Sequence, residues 1–127
     1  MGMMESTMKT IIAGSRNFDN YDLLRKVMSG PVNEAGISPT RIVSDMVFGA
    51  ETLGERYASD MELPIDPFPA DWSKHGRSAG YIRNAEMAEY ADALVAFWDM
   101  QSKGTENMIK QAKKHNLKIF IEIYNVR

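Results

Sequence analysis

The sequence predicts an α/β domain, a mainly parallel five-stranded sheet held between two helical layers. Three observations lead to it. Short apolar runs alternate with helically spaced segments in the order β-α-β-α-β-α-β-α-β, the pattern of crossover-linked parallel strands. The run Ala93 to Trp98 is apolar without alternation, as a strand covered on both faces must be. The chain has 127 residues, 44% hydrophobic and 25% charged, which suits one ordinary globular domain.

Lys9 to Ala13 reads as the first strand, ending at Gly14. Asp19 and Asn20 are capping types ahead of Leu23, Leu24, Val27 and Met28, so a helix follows, and Gly30-Pro31 closes or breaks it. Arg41 to Ser44 is the second strand, after the turn-rich Gly36 to Pro39. A helix from Ala50 to about Asp60 places Leu53 and Tyr57 on one face. Leu63 to Phe68 holds two prolines that withhold ladder donors, which fits an edge strand. Pro69 to about Gly80 reads as a long irregular loop, and such loops in small domains are often functional. Tyr81 to Tyr90 is helical, with Ile82, Ala85 and Ala88 on a repeat of three. Ala93 to Trp98 is the buried strand, Thr105 to His115 the last helix, and Leu117 to Ile121 the last strand.

Lys and Arg number 15 against 17 Asp and Glu, a net charge of −2, so no global field gathers a phosphate polymer and nucleic acid is disfavoured as a partner. The last 25 residues hold six Lys or Arg against two acids, but most of that charge sits on the final helix. Cysteine is absent, which removes disulfides and thiolate metal sites and suits a reducing compartment. No apolar stretch has the length of a signal core or a membrane span. The expectation is a cytoplasmic protein with no membrane partner, a flexible start over residues 1–8 and one domain over 9–127.

In parallel sheets of this kind, ligands sit beyond the carboxyl ends of the strands, where strand order reverses. That selects Gly14-Ser15-Arg16-Asn17, Asp45 to Glu51 with Gly49, Asp71-Trp72, and Asp99 to Thr105. Gly14 to Asn17 combines backbone donors with a guanidinium able to hold phosphate or carboxylate. Gly104-Thr105 opens a helix and offers further amides, although Ser102 or Thr105 can equally serve as a simple cap. Asp45, Glu51, Asp71 and Asp99 fall at or beyond strand ends. There they can accept ribose hydroxyls, hold magnesium with water, or stabilise the cation formed when a sugar C–N bond breaks. Arg83 and Asn84, early in their helix, can reach the same crevice. Trp72 can stack on a base or simply cover the core. Two histidines far apart do not make a zinc site.

Several stretches together resemble a known family: Ile12 to Phe18, Leu53 to Ala58, Phe68 to Trp72, Gly76 to Asn84, Phe97 to Asp99 and Ser102 to Thr105. They are similar to the YspA-like family of the SLOG superfamily of bacteria and their phages. The resemblance implies a Rossmann-like three-layer sandwich with strand order 3-2-1-4-5 and a ligand of nucleotide or nucleotide-sugar type. It places Gly14, Ser15, Arg16, Gly104 and Thr105 around phosphate, with Arg83 and Asn84 completing the pattern. Asp71 and Asp99 fall near ribose and Trp72 over the base, while Asn17, Asp45 and Gly49 complete the lining.

The superfamily also holds the lonely-guy phosphoribohydrolases, whose Arg-Lys-x-x-Met motif looks like Arg83 to Met87. Their Gly-Gly-x-Gly-Thr-x-x-Glu loop looks like the segment ending Gly104 to Met108. Met108 stands where those enzymes have a catalytic Glu, so hydrolysis of a nucleoside monophosphate would need Glu86, Asp71 or Glu106 as the working carboxylate. Asp45 also departs from the pattern, replacing a loop glycine. The expected functions are therefore ligand binding as a sensor, sequestering module or enzyme, N-glycosidic hydrolysis as an alternative, and nucleic-acid or protein interaction as a third. Superfamily relatives often pair, so a homo-oligomer is expected.

Overall fold

Five parallel strands form one sheet in the order β3-β2-β1-β4-β5, and helices cover both of its faces. The computed structural model describes residues 7–15, 17–45 and 53–124. The strands are β1 (Lys9–Gly14), β2 (Arg41–Ser44), β3 (Ile65–Pro67), β4 (Ala93–Trp98) and β5 (Lys118–Ile123). The helices are α1 (Tyr21–Ser29), α2 (Pro31–Glu34), α3 (Leu53–Asp60), α4 (Trp72–His75), α5 (Ala79–Tyr90) and α6 (Lys103–Lys114), with a 3-10 turn at Gly76–Ser78. This is the Rossmann-like sandwich and the strand order that the sequence predicts.

The two-residue period of β4 builds both cores. Ala93, Val95 and Phe97 join Leu24, Val27 and Met28 of α1 and Tyr57 and Ala58 of α3 on one face. Leu94 and Ala96 join Met87 and Ala88 of α5 and Met108, Ile109 and Ala112 of α6 on the other. Gly54 lets α3 lie close to the sheet, because a Cβ there would come within 3.2 Å of Ile12 Cβ. On the β3 side, Arg41 Nε donates to Asp66 at 2.8 Å and Tyr90 Oη to the same carboxylate at 2.7 Å, tying β2, β3 and α5 together. The Arg41 guanidinium holds the Asp66 carboxyl below its usual range.

Several sequence expectations are corrected. The stretch expected as an irregular loop after Pro69 contains α4 and the 3-10 turn, and α5 begins at Ala79 rather than Tyr81. The cause is local: Asp71 accepts from the Lys74 amide at 3.1 Å and starts α4, while Gly76, at φ +57, ends it. Likewise α6 begins at Lys103 rather than Thr105 because Ser102 is its cap. The buried residues of α5 are Ala79, Asn84, Met87 and Ala88, so of the expected Ile82, Ala85 and Ala88 stripe only Ala88 is fully covered. β5 lies slightly later than expected and β3 is shorter. Gly30-Pro31 separates α1 from a further turn, α2, with Pro31 at its first position.

Candidate functional site

Strand order reverses between β1 and β4, and a cavity of about 930 Å³ opens beside their carboxyl ends. Its wall includes ten of the residues expected to contact a ligand. Gly14, Ser15 and Asn17 come from the end of β1, Asp45 from the end of β2, and Trp72, Arg83 and Asn84 from α4 and α5. Asp99, Gly104 and Thr105 come from the β4–α6 connection. Arg16, Gly49 and Glu51 lie outside the described residues.

Ser15 and Asp99 tie the two central strands together at this rim. The Ser15 amide donates to the Phe97 carbonyl at 3.0 Å, its hydroxyl donates to Asp99 Oδ1 at 3.2 Å and it accepts from the Asp99 amide at 3.2 Å. Asp99 Oδ1 also accepts from the amides of Gln101 at 2.9 Å and Ser102 at 2.8 Å. These backbone donors hold the Asp99 carboxyl below its usual range. Oδ2 has no hydrogen-bond partner among the described residues.

The start of α6 is capped and still incompletely satisfied. The Ser102 hydroxyl accepts from the Thr105 amide at 3.4 Å and its carbonyl from the Glu106 amide at 3.1 Å. That leaves the amides of Lys103 and Gly104 without an intrahelical partner. A Cβ at Gly104 would meet nothing within 4 Å, so this end of the helix is open. Thr105 is buried, its hydroxyl 3.2 Å from that of Ser102. Asn84, also buried, spends its amide hydrogens on Gly104 O at 3.3 Å and Asn107 Oδ1 at 3.0 Å. Asn84 thus braces α5 against α6 beneath the cavity, and only its position on the wall agrees with a ligand role.

Arg83 is the cation of the described wall. One guanidinium nitrogen donates to the Asp45 carbonyl at 3.5 Å, and Nε is buried with no partner among the described residues. A buried unpaired donor costs about 1–3 kcal/mol, more when charged, so this guanidinium is a donor that lacks an acceptor. No ion pair with Asp71 or Glu86 forms. Trp72 is 55% exposed at the rim, and both its indole and the Arg83 guanidinium lie beside Gly80.

The three carboxylates singled out for catalysis lie off this wall. Asp71 is the exposed cap of α4, its carboxylate accepting from Ser73 Oγ at 2.8 Å and from the Lys74 amide, which keep its pKa low. Glu86 is exposed on α5, and Glu106 occupies the first turn of α6. Gln101 and Ser102, inside the selected Asp99 to Thr105 loop but not named as ligand contacts, also line the cavity, as does Asp19, which only its adjacency to the Gly14 to Asn17 loop could have flagged. Among the described residues no group of three His, Asp or Glu could hold a metal, and no helix is long and apolar enough to cross a membrane.

Comparison with known proteins gives one point of contact. No family model matches the chain, and no solved structure matches it. The chain is 34% identical over 77 residues to the Gene 61 protein of Mycobacterium phage D29. That match covers 56% of this chain and 62% of the phage protein, so it spans less than two thirds of the relative's length. The chain is therefore similar to a phage gene product and folds as a Rossmann-like α/β sandwich.

Proposed function

We propose that the cavity at the carboxyl edge of β1 and β4 binds a small ligand of nucleotide or nucleotide-sugar type, in keeping with the SLOG-like motifs. The observation that carries the reading is the buried Nε of Arg83, unpartnered among the described residues, on the same wall as Gly104, whose amide has no intrahelical partner. A guanidinium and a helix start together suit a phosphate or carboxylate. Asp99 Oδ2 suits a ribose hydroxyl, and the exposed Trp72 face suits a base. The volume lies within the roughly 300–1,000 Å³ range of small-molecule sites.

Binding is favoured over N-glycosidic hydrolysis because Glu86, Asp71 and Glu106 are off the wall. The test is thermal unfolding of the full chain with nucleoside mono- and diphosphates, ADP-ribose and NAD. A ligand at 100 times its Kd stabilises by about 2.7 kcal/mol, which is a readable shift. Wild type should shift with at least one of these, and Arg83→Ala should lose that shift while keeping its circular dichroism. A shift of equal size in the variant would overturn the site. Release of free base from a monophosphate would move the reading to hydrolysis.

A further inference from the structure

β5 ends the sheet with an edge that no described element covers. The strand pairs only with β4 and packs on α6. Its amides alternate in direction. Lys118 N donates to Asp92 O and Tyr124 N to Trp98 O, so even-numbered residues bond inward. The N–H and C=O groups of Ile119, Ile121 and Ile123 therefore point away from the sheet, and no described residue takes them up. The opposite edge is different: β3 has three residues, ends at Pro67 and follows Pro64, so it offers little to a partner. β5 has six residues, Lys118-Ile-Phe-Ile-Glu-Ile123, without proline, glycine or a bulge to blunt it.

The charges on β5 make this edge self-complementary. In an antiparallel pair of two β5 strands, outward-facing residues must oppose one another, which requires odd-numbered residues to face odd-numbered residues. With Ile119 opposite Ile121 of a second copy, Phe120 meets its own equivalent on the two-fold axis and Lys118 falls opposite Glu122 twice. The next allowed register, with Ile121 on the axis, sets Glu122 against Phe120 and leaves Lys118 beside Tyr124. Lys118 is exposed, and its Nζ reaches the Gly36 carbonyl at 3.2 Å, while Glu122 is half-buried and its carboxylate makes no hydrogen bond or ion pair among the described residues. Lys118, Phe120 and Glu122 share one face of the strand, so the two ion pairs would flank the paired rings.

We propose that two copies of this chain join edge to edge through antiparallel β5 strands. Two five-stranded sheets then become one sheet of ten strands, with Phe120 on the axis and Lys118 paired to Glu122 across it. The proline-bounded β3 edges stay outermost, which closes the assembly at two copies rather than letting it propagate.

The experiment is light scattering after size exclusion of the full chain over a concentration series, with circular dichroism to confirm folding. Wild type should be dimeric. Lys118→Glu and Glu122→Lys each place like charges opposite one another twice and should weaken dimerisation at least tenfold. The double variant Lys118→Glu/Glu122→Lys should restore it. Both Lys118 variants lose the contact to Gly36, so restoration reports the pairing and not that contact. Hydrogen exchange of wild type supplies a readout free of substitutions: the amides of Ile119 and Ile121 should become more protected as concentration rises. A monomer throughout, single variants as dimeric as wild type, a double variant that stays monomeric, or no concentration dependence at Ile119 and Ile121 would each overturn the proposal.

Discussion

Asp99 gathers three donors at one atom: Oδ1 accepts from the amides of Gln101 and Ser102 and from the Ser15 hydroxyl at the rim of the cavity. The donors lower its pKa in the folded chain, whereas in the unfolded chain it titrates near the ordinary value of about 3.9. The unfolded state therefore takes up the proton first on acidification. Its contribution to stability is complete above that ordinary value and is lost as pH falls through the lower, folded-state pKa. Asp99→Asn should be less stable than wild type near pH 6, with the gap narrowing as pH falls below about 4. Urea unfolding at several pH values checks this, and a gap independent of pH would contradict it. Asp66 and Asp71 have lowered pKa values too, so the difference between the two proteins is the quantity to follow. Asp71 also marks the limit of sequence reading at this scale. A carboxylate after a strand looks the same whether it caps a helix or meets a ligand, and only the hydrogen bond from the Lys74 amide decides it.

At the scale of elements, helix starts position this site. Ser102 fixes where α6 begins and so which amides face the cavity. Replacing it with alanine removes the acceptor of the Thr105 amide and should cost about 1 kcal/mol, read by urea denaturation. The same variant should weaken any ligand that uses the Lys103 and Gly104 amides, since the first turn loses its anchor. The sequence marks Ser102 as a capping type, so this feature was readable in advance. The facing of Glu86 and Glu106 was not, because it depends on how α5 and α6 are rotated against the sheet. Met87 and Met108 take the places on these helices that face the shared core and the cavity, and neither Glu86 nor Glu106 is on the wall.

For the molecule as a whole, β4 is the beam on which both layers rest. It pairs with β1 on one side and β5 on the other, and Leu94 is fully buried against Ile11, Met87 and Ile109. Leu94→Ala should destabilise the chain by about 2–5 kcal/mol in urea or thermal unfolding, the range for emptying a packed leucine site. A loss below 0.5 kcal/mol would mean that this core is not closely packed. Because β4 carries residues of both cores and pairs with β1, the same loss should disturb the β1–β4 rim where Ser15 and Asp99 are joined.

The sequence by itself determined the alternation of strands and helices, the buried character of β4, the proline-limited edge at β3 and the strand ends beside which the cavity opens. These follow from local patterns: apolar runs, capping residues and prolines keep their meaning wherever the chain goes. The tertiary structure decided which strand-end residues share one cavity, that Asn84 braces α6, and that Arg83 keeps a buried donor unpaired. It also decided that β5 presents an edge that no described element covers. Those outcomes depend on contacts between residues far apart in the chain, and no local pattern encodes the rotation and depth at which two packed elements meet.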